Sequence, residues 1–321
     1  MSRAQVQHER AWQNFERSFN PRRWEPIRNS WADFIPLIDP PGSRPQVTLS
    51  DYVADNEVLV GVEMPVNKLV TRHVPRTEVP ELVFREAVYW LHKGLHVLGS
   101  CEAEIQKGNP TWSLSSAYQS AYFSGRAVLA FLGVTVAEFR HVSAAVDICR
   151  DMHGVRPQRL ESTGAFLEEI PFHTLGLLFD HRQLWQLFQR VIRVTNCHVW
   201  PADWANFLAM LDIANITRQR HQLHYRLEYW LMDDLFEFSY PEDFPDVAAT
   251  GIGRELFETT RPNFSLILAT LIARMALRLF EDLSQITERL STERALLENG
   301  FSYDRHPFFA DPLRADAGMP L

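Results

Sequence analysis

The chain has 321 residues, of which 46% are hydrophobic and 22% are charged. This composition is typical of an ordered globular protein and excludes a disordered, collagenous or rod-like chain. The 40 acidic residues outnumber the 32 lysines and arginines, which gives a net charge of −8. A broad basic surface for non-specific nucleic-acid binding is therefore not expected.

The cysteines and the N-terminus bear on the cellular compartment. Three cysteines lie far apart without a Cys-x-x-Cys pair, which argues against a disulfide framework and against a cysteine-built zinc site. The N-terminus lacks the apolar core of a secretory signal, and the longest apolar run, residues 265–280, is too short to cross a bilayer. We expect a cytoplasmic protein that does not enter a membrane.

Residues 1–76 contain eight prolines, which break helices and favour extended or turn geometry. This segment is predicted to be an irregular N-terminal arm. Within it, residues 57–64 are rich in β-branched side chains and predict one short strand.

From Pro80 the hydrophobic residues recur at helical spacing, which predicts a helix over residues 80–107. The sequence Gly-Asn-Pro at residues 108–110 ends it, and a second helix is predicted at 114–132. Its small residues at 117, 121 and 125 would let a neighbouring backbone come close. The two helices are expected to form an antiparallel hairpin.

Further helices are predicted at residues 137–152 and 182–197, and a long helical stretch begins after Pro201. The apolar stripe of that stretch runs through Phe207 and Leu211. Seven residues after Leu211 the same stripe reaches Arg218. The apolar pattern therefore predicts burial at a position that holds a cation.

The C-terminal part begins with an acidic segment, because residues 231–260 hold eight acidic groups and one arginine. Prolines and glycines predict a loop over 240–261. Pro262 precedes a long amphipathic helix that either covers the core or forms an oligomer seam, and residues 301–321 are predicted to be a tail.

The densest polar cluster is Thr217-Arg-Gln-Arg-His-Gln-Leu-His-Tyr-Arg226. On a helix Arg218 shares a face with Tyr225, and Arg220 shares another with His224. Histidine titrates near neutrality and arginine supplies fixed positive charge, so the cluster could hold a phosphate and move a proton. The alternative is a solvated helix face, or arginines paired with the acidic segment that follows.

A family resemblance enters here. Residues 115–133, Ser-Ser-Ala-Tyr-Gln-Ser-Ala-Tyr-Phe-Ser-Gly-Arg-Ala-Val-Leu-Ala-Phe-Leu-Gly, resemble the second helix of the HEPN superfamily, which often shows Ala-Tyr-Tyr/Phe, then Ala-Arg-Ala-Leu-Leu, then Gly. In a later helix many members carry an Arg, a polar residue and then a His. Arg218, Gln219 and His224 fit that order, although Gln219 stands where Asn, Asp or His is commoner. The resemblance covers residues 80–230.

The resemblance implies a mainly α protein, a HEPN-like antiparallel helical bundle over residues 77–239. The irregular arm over 1–76 would precede it, and residues 240–321 would add the acidic loop, a long C-terminal helix and the tail. It also implies a metal-independent endoribonuclease, a toxin or defence effector, that needs no cofactor. Its partners would be RNA, a second copy of the chain and an antitoxin or regulatory protein.

The same resemblance assigns roles to the polar cluster. Arg218 and His224 would be the catalytic pair, with Arg binding the scissile phosphate and His acting as general acid or base. The substrate-binding residues would be Arg220, His221 and Tyr225. On an ideal helix Arg218 and His224 point about 120° apart, so a compact site would need two copies across a homodimer.

Two other readings stay open. The first is a non-catalytic HEPN-like helical protein that binds a partner. The second is a helical enzyme acting on a nucleotide or another phosphorylated small molecule. Three weaker site candidates are more simply explained by packing. They are the pair His92 and His96, the helix junction at Cys197 and His198, and Arg126 inside an apolar helix. Arg126 is expected to pair with a buried carboxylate or a backbone carbonyl.

Overall fold

The computed structural model describes residues 21–35, 48–59, 70–76, 78–107, 109–139, 142–149, 164–175, 179–225, 264–291 and 294–295. These residues are mainly helical, with eight α-helices and six short strands. In chain order they are β1 (Arg22–Arg23), α1 (Trp24–Phe34), α2 (Leu49–Asp55), β2 (Thr71–Pro75), α3 (Val79–Gln106), α4 (Pro110–Phe131), β3 (Val134–Phe139), β4 (Val142–Asp147), β5 (Glu169–Thr174), α5 (His181–Val194), β6 (Thr195–Asn196), α6 (Ala202–Ala209), α7 (Ile213–Tyr225) and α8 (Phe264–Ile286).

Helices α3 and α4 form the hairpin that the sequence predicts. Helix α3 ends at Gln106, and Pro110 occupies the first turn of α4, where its missing N–H costs nothing. The two helices come close at Gly94 of α3, where the Ser120 hydroxyl of α4 donates to the Gly94 carbonyl at 2.8 Å. Gly125, part of the predicted small-residue stripe, instead faces Trp185 and Phe188 of α5.

Helix α8 lies in the centre of the protein. Its residues from Phe264 to Leu277 are all buried, and it packs on α4, α3 and α1. The prediction of an amphipathic helix was therefore wrong for this part, because the inner half is apolar around its whole circumference. Of the two expected roles, α8 takes the one in the core.

The described part of the N-terminal segment belongs to the same core, so the prediction of an irregular arm was wrong for residues 21–35 and 48–59. It contains α1 and α2, and both Trp24 and Trp31 are fully buried. The Trp31 indole N–H donates to the Phe131 carbonyl at 2.8 Å, which ties α1 to the end of α4. Of the prolines that the structure describes here, Pro26 lies in the first turn of α1, where it breaks nothing, and Pro75 ends β2.

The strand expected over residues 57–64 is not seen at its start, because residues 56–59 form a turn in which Glu57 has φ 53°. Its remaining residues lie outside the described chain. The next strand that the structure describes is β2, in which Val74 pairs with Ile170 of β5.

A four-stranded antiparallel sheet with the order β2-β5-β4-β3 packs beside the helices. Strands β3 and β4 form a hairpin where a helix over residues 137–152 was predicted, so that prediction was wrong. Val134, Thr135, Val136 and Ala137 are all buried. Burial on both faces removes the alternation that identifies a strand in a sequence.

Helix α5 matches its predicted position, with a capping box in which Asp180 and Gln183 bond each other's backbone N–H groups. The predicted 240–261 loop, the acidic residues 231–260 and the 301–321 tail lie outside the described chain. Within the residues that the structure places, no helix is long and apolar enough to cross a membrane.

Candidate functional site

The polar cluster lies on α7, which begins after a break in the chain. The long helical stretch expected after Pro201 is divided into α6 and α7 by residues 210–212. The Asp212 carboxylate accepts hydrogen bonds from the Ala214 and Asn215 N–H groups, at 2.9 and 3.3 Å, and so caps the start of α7.

This break corrects the expectation that the apolar stripe continues to Arg218. Leu211 is buried, but Ala214 and Arg218 are exposed, because α7 is a separate helix that begins at Ile213. The cation therefore lies at the surface and not in the core.

Arg218 is exposed on α7. Its guanidinium donates to the Asn215 side-chain oxygen, one turn earlier on α7. No carboxylate pairs with it among the described residues. His221 follows three residues later and is also exposed. Ala214, Arg218 and His221 thus form one solvent-facing stripe of α7.

Arg220 lies on another side of the helix. It is half-buried, and its positive charge acts on the Tyr118 hydroxyl of α4. Its Nε atom is buried and has no hydrogen-bond partner within the described part of the chain. The structure therefore separates Arg220 from the Arg218 stripe, although the sequence lists both in one cluster.

The last two predicted site residues are placed only in part. Positions 224 and 225 belong to α7, so the helix extends to the end of the predicted motif. The side chains of His224 and Tyr225 lie outside the described residues.

Arg220 faces a group of polar and aromatic side chains where α4, α5 and α7 meet. We call Tyr118, Tyr122, His181, Trp185 and Arg220 the junction cluster. The Trp185 indole N–H donates to the Tyr118 oxygen at 3.2 Å, and the Tyr118 oxygen lies 3.1 Å from His181 Nδ1. The Tyr122 ring packs on the His181 ring with 4.2 Å between centroids.

Burial sets the chemistry of the two tyrosines. It raises the pKa of Tyr118 to about 12, with smaller opposing effects from the Trp185 hydrogen bond and the Arg220 charge. Burial also raises the pKa of Tyr122, which the nearby Arg126 charge partly offsets. Both phenols therefore keep their protons at neutral pH, and Tyr118 remains a hydrogen-bond donor.

Two features of the sequence point to the junction cluster, although the sequence analysis above did not identify it. Tyr118 and Tyr122 are four residues apart and so share one face of α4. The Asp180-x-x-Gln183 capping box marks the start of α5 and places His181 in its first turn. Neither signal identifies the partner helix, because 63 residues separate Tyr118 from His181.

Arg126 has a packing role, as predicted. Its guanidinium lies 4.2 Å from the centroid of the Trp90 ring and donates to the Val136 carbonyl at 3.4 Å. It also acts on the Glu86 carboxylate, which accepts hydrogen bonds from the Thr135 hydroxyl and the Leu49 N–H. Burial raises the pKa of Glu86, and the Arg126 charge opposes that rise.

The remaining candidates do not form a site. His92 and His96 lie on the outer side of α3, half-buried and exposed, and the described residues contain no group of three or more His, Cys, Asp or Glu that could hold a metal ion. Burial raises the pKa of the Cys197 thiol to about 12, so it is a poor nucleophile. His198 Nδ1 lies 3.8 Å from the Glu25 carboxylate.

Comparisons with protein-family models, with curated proteins and with solved structures find nothing that matches this chain. The resemblance to the HEPN superfamily therefore stays a prediction from the residues quoted above.

Proposed function

We propose that this protein is a HEPN-like, metal-independent endoribonuclease, and that α7 carries its active site. The observation that carries the proposal is the exposed guanidinium of Arg218, which has no carboxylate partner among the described residues, beside the exposed His221.

Arg218 would bind the scissile phosphate. Its guanidinium presents five N–H donors in a planar fork, and one of them is used by the neutral Asn215 side chain. The other donors can bond the non-bridging phosphate oxygens in the bidentate geometry that arginine favours. The same contact stabilises the extra negative charge that develops on these oxygens in the transition state.

His224 would transfer the protons. The RNA 2′-hydroxyl attacks phosphorus, the bond to the 5′-oxygen breaks, and the products are a 2′,3′-cyclic phosphate and a 5′-hydroxyl. A neutral imidazole takes the 2′-hydroxyl proton, and an imidazolium gives a proton to the leaving oxygen. The reaction needs no metal and no cofactor, because the nucleophile belongs to the substrate.

The active form would be a homodimer. Positions 218 and 224 are about 120° apart around a helix, so one α7 does not bring both side chains to one phosphate. The exposed stripe of Ala214, Arg218 and His221 offers a surface on which α7 of a second copy could lie. A two-fold axis there would place Arg218 of one copy near His224 of the other.

Of the three predicted substrate-binding residues, two keep that role in this proposal and Arg220 differs. His221 lies on the Arg218 stripe and would contact RNA, as would Tyr225. Arg220 faces the junction cluster, so its contact with substrate would be on another side of α7. As in other toxin or defence proteins, an antitoxin or regulatory partner would control the activity.

The test is cleavage of tRNA and total RNA by the purified full-length protein in EDTA. Arg218→Ala and His224→Ala should each lower the rate by at least about 10²-fold, the range for loss of one charge-stabilising or proton-transfer group. Arg72→Ala is the matched control, because Arg72 is an exposed arginine on β2. Equal cleavage by wild type and both site variants would refute the assignment, and absence of cleavage by a dimeric wild type would favour a partner-binding protein.

A further inference from the structure

A cleft lies where α4, β3 and α5 meet. Its volume is about 210 Å³, and part of this volume is open to solvent. The walls are mostly apolar and include Leu184 and Leu187 of α5, which are both buried. The polar residues among those that line it are Arg126 of α4 and Thr135 of β3.

Strand β3 forms one edge of the sheet, and among the described strands only β4 pairs with it. The register pairs Thr135 with Val146, and the Ile148 N–H donates to the Gly133 carbonyl at 2.9 Å. In an antiparallel pair every second residue turns both of its backbone groups toward the partner strand. Gly133 and Thr135 therefore face β4, and Val136 turns its N–H and its carbonyl away from β4.

Two contacts agree with this direction of the β3 backbone. The Arg126 guanidinium donates to the Val136 carbonyl at 3.4 Å, from the side of α4. Two residues further along the strand, the Glu138 N–H donates to the Ser50 hydroxyl at 3.0 Å. The Val136 N–H points to the same side as its carbonyl, and therefore toward the cleft that Val136 and Arg126 both line.

The Val136 N–H needs a hydrogen-bond acceptor. Val136 is 4% exposed, and a buried backbone N–H without a partner costs about as much free energy as a lost hydrogen bond. Glu138 has the Ser50 hydroxyl as its partner, whereas none of the described residues accepts a bond from the outward N–H of Val136. The bond to the Val136 carbonyl is long at 3.4 Å, so this carbonyl can accept a second one.

We propose that the cleft is a binding site for one ordered water molecule that bridges the Arg126 guanidinium and the edge of β3. The water oxygen accepts from the Val136 N–H and from an Arg126 N–H, and the water donates to a backbone carbonyl of the same edge. These are three hydrogen bonds, the usual number for a buried water. The site does not rest on RNA cleavage.

Water fits both the size and the chemistry of the cleft. A water molecule takes up about 30 Å³ in the liquid, whereas pockets for drug-sized ligands span roughly 300–1,000 Å³. An apolar ligand would leave the Val136 N–H without an acceptor. An anion would be repelled by the carboxylate of Glu86, whose charge acts on the same Arg126 guanidinium.

The experiment is a water-selective NOE spectrum of the ¹⁵N-labelled full-length protein. Long-lived and rapidly exchanging water give cross-peaks of opposite sign, so the sign separates an ordered molecule from surface hydration. We expect a cross-peak of the long-lived sign at the Val136 amide. The Ala137 amide should show none, because Ala137 pairs with Ala144 of β4.

Two variants identify the source of this cross-peak. A hydroxyl proton that exchanges with water can imitate bound water, so the cross-peak must persist in Thr135→Val. Arg126→Met removes one partner of the water and should abolish the cross-peak. Arg193→Met is the matched control without effect, because Arg193 is an exposed arginine of α5 that donates to the Ala209 carbonyl.

Thermal unfolding checks that each variant folds, and the wild-type spectrum is decisive even if Arg126→Met does not. Absence of a long-lived cross-peak at Val136 in wild type, or its loss in a folded Thr135→Val protein, would overturn the proposal. A cross-peak that persists in folded Arg126→Met would also overturn it, since the water would then not bridge to the guanidinium.

Discussion

Gly94 on α3 lies so close to Ser124 on α4 that a Cβ atom at position 94 would stand 2.4 Å from the Ser124 hydroxyl oxygen and 3.1 Å from its backbone nitrogen. The backbone of one helix here touches the backbone of the other. The hairpin therefore depends on the absence of a side chain at this position.

Gly94→Ala should consequently destabilise the protein, by about 1–3 kcal/mol, because the added methyl group must push the two helices apart. Gly125→Ala is the matched control on α4, where the nearest atoms, in Phe188 and Trp185, would lie 3.7 Å from the new Cβ. That substitution should be neutral or slightly stabilising, since alanine favours a helix over glycine by about 0.5–1 kcal/mol. Urea unfolding of the three proteins gives the comparison, and equal stability of the two variants would disprove the close contact.

The cap of α7 can be tested at Asp212. Asp212→Ala removes the acceptor for the Ala214 and Asn215 N–H groups and should cost about 0.5–2 kcal/mol. Asp212→Asn keeps an acceptor and should cost less. Amide hydrogen exchange should be faster over residues 213–217 in the alanine variant. Unchanged exchange there would show that the carboxylate does not hold the start of the helix.

The ion pair of Arg22 with Asp147 ties β1 to the end of β4. Arg22 is 4% exposed, its Nη1 donates to Asp147 Oδ1 at 2.9 Å, and a second bond joins the same two groups. Asp147→Ala removes this carboxylate from a buried guanidinium and should cost about 3–5 kcal/mol.

The surface pair of Arg23 and Glu25, 3.1 Å apart, supplies the control for that experiment. Glu25→Ala should change the free energy of unfolding by less than about 1 kcal/mol, because both side chains are exposed. Chemical unfolding measures both values. If the two substitutions cost the same, the Arg22–Asp147 pair does not act as a buried one.

Glu86 should make stability depend on pH. Burial raises its pKa in the folded protein above the unfolded value near 4.5, so the folded state binds this proton more tightly. The contribution of Glu86 to stability is therefore greatest in acid and declines as the pH rises through the folded pKa, by at most about 1.4 kcal/mol per pH unit.

The corresponding measurement compares wild type with Glu86→Gln between pH 4.5 and pH 8. The stability of wild type relative to Glu86→Gln should fall as the pH rises. Glu138→Gln, at an exposed glutamate of β3, should show no such trend. A relative stability that increases with pH would mean that attraction by Arg126 outweighs the burial of the carboxylate.

The helices that could be predicted are those with one apolar face or with a strong helix-breaking sequence at one end. The α3–α4 hairpin follows from helical spacing on both sides of Gly-Asn-Pro, and α5 follows from Leu184, Leu187 and Val191. Strands β3 and β4 could not be predicted, because residues 134–137 are buried on both faces and show no alternation. The break before α7 was missed because Met210 and Leu211 continue the apolar pattern, although Asp212 could have marked a cap.

Only part of the candidate site follows from the sequence. The density of Arg and His over residues 217–226 identifies α7. The exposure of Arg218 comes from the structure alone, because the apolar pattern predicted burial at that position. The separation of Arg220 from Arg218 and the contact with Tyr118 depend on how α7 packs on α4 and α5. Such packing is set by tertiary contacts between distant segments, which periodicity does not encode.

The central position of α8 has a consequence for synthesis on the ribosome. The Trp24 indole N–H donates to the Asp282 carboxylate at 2.7 Å, which joins segments 258 residues apart in the chain. The helices that carry the Arg and His residues emerge well before α8, but the core that fixes their positions cannot close until residue 286 has left the exit tunnel. If the protein cleaves RNA, the growing chain is thus kept inactive beside the ribosome's own RNA until α8 has emerged.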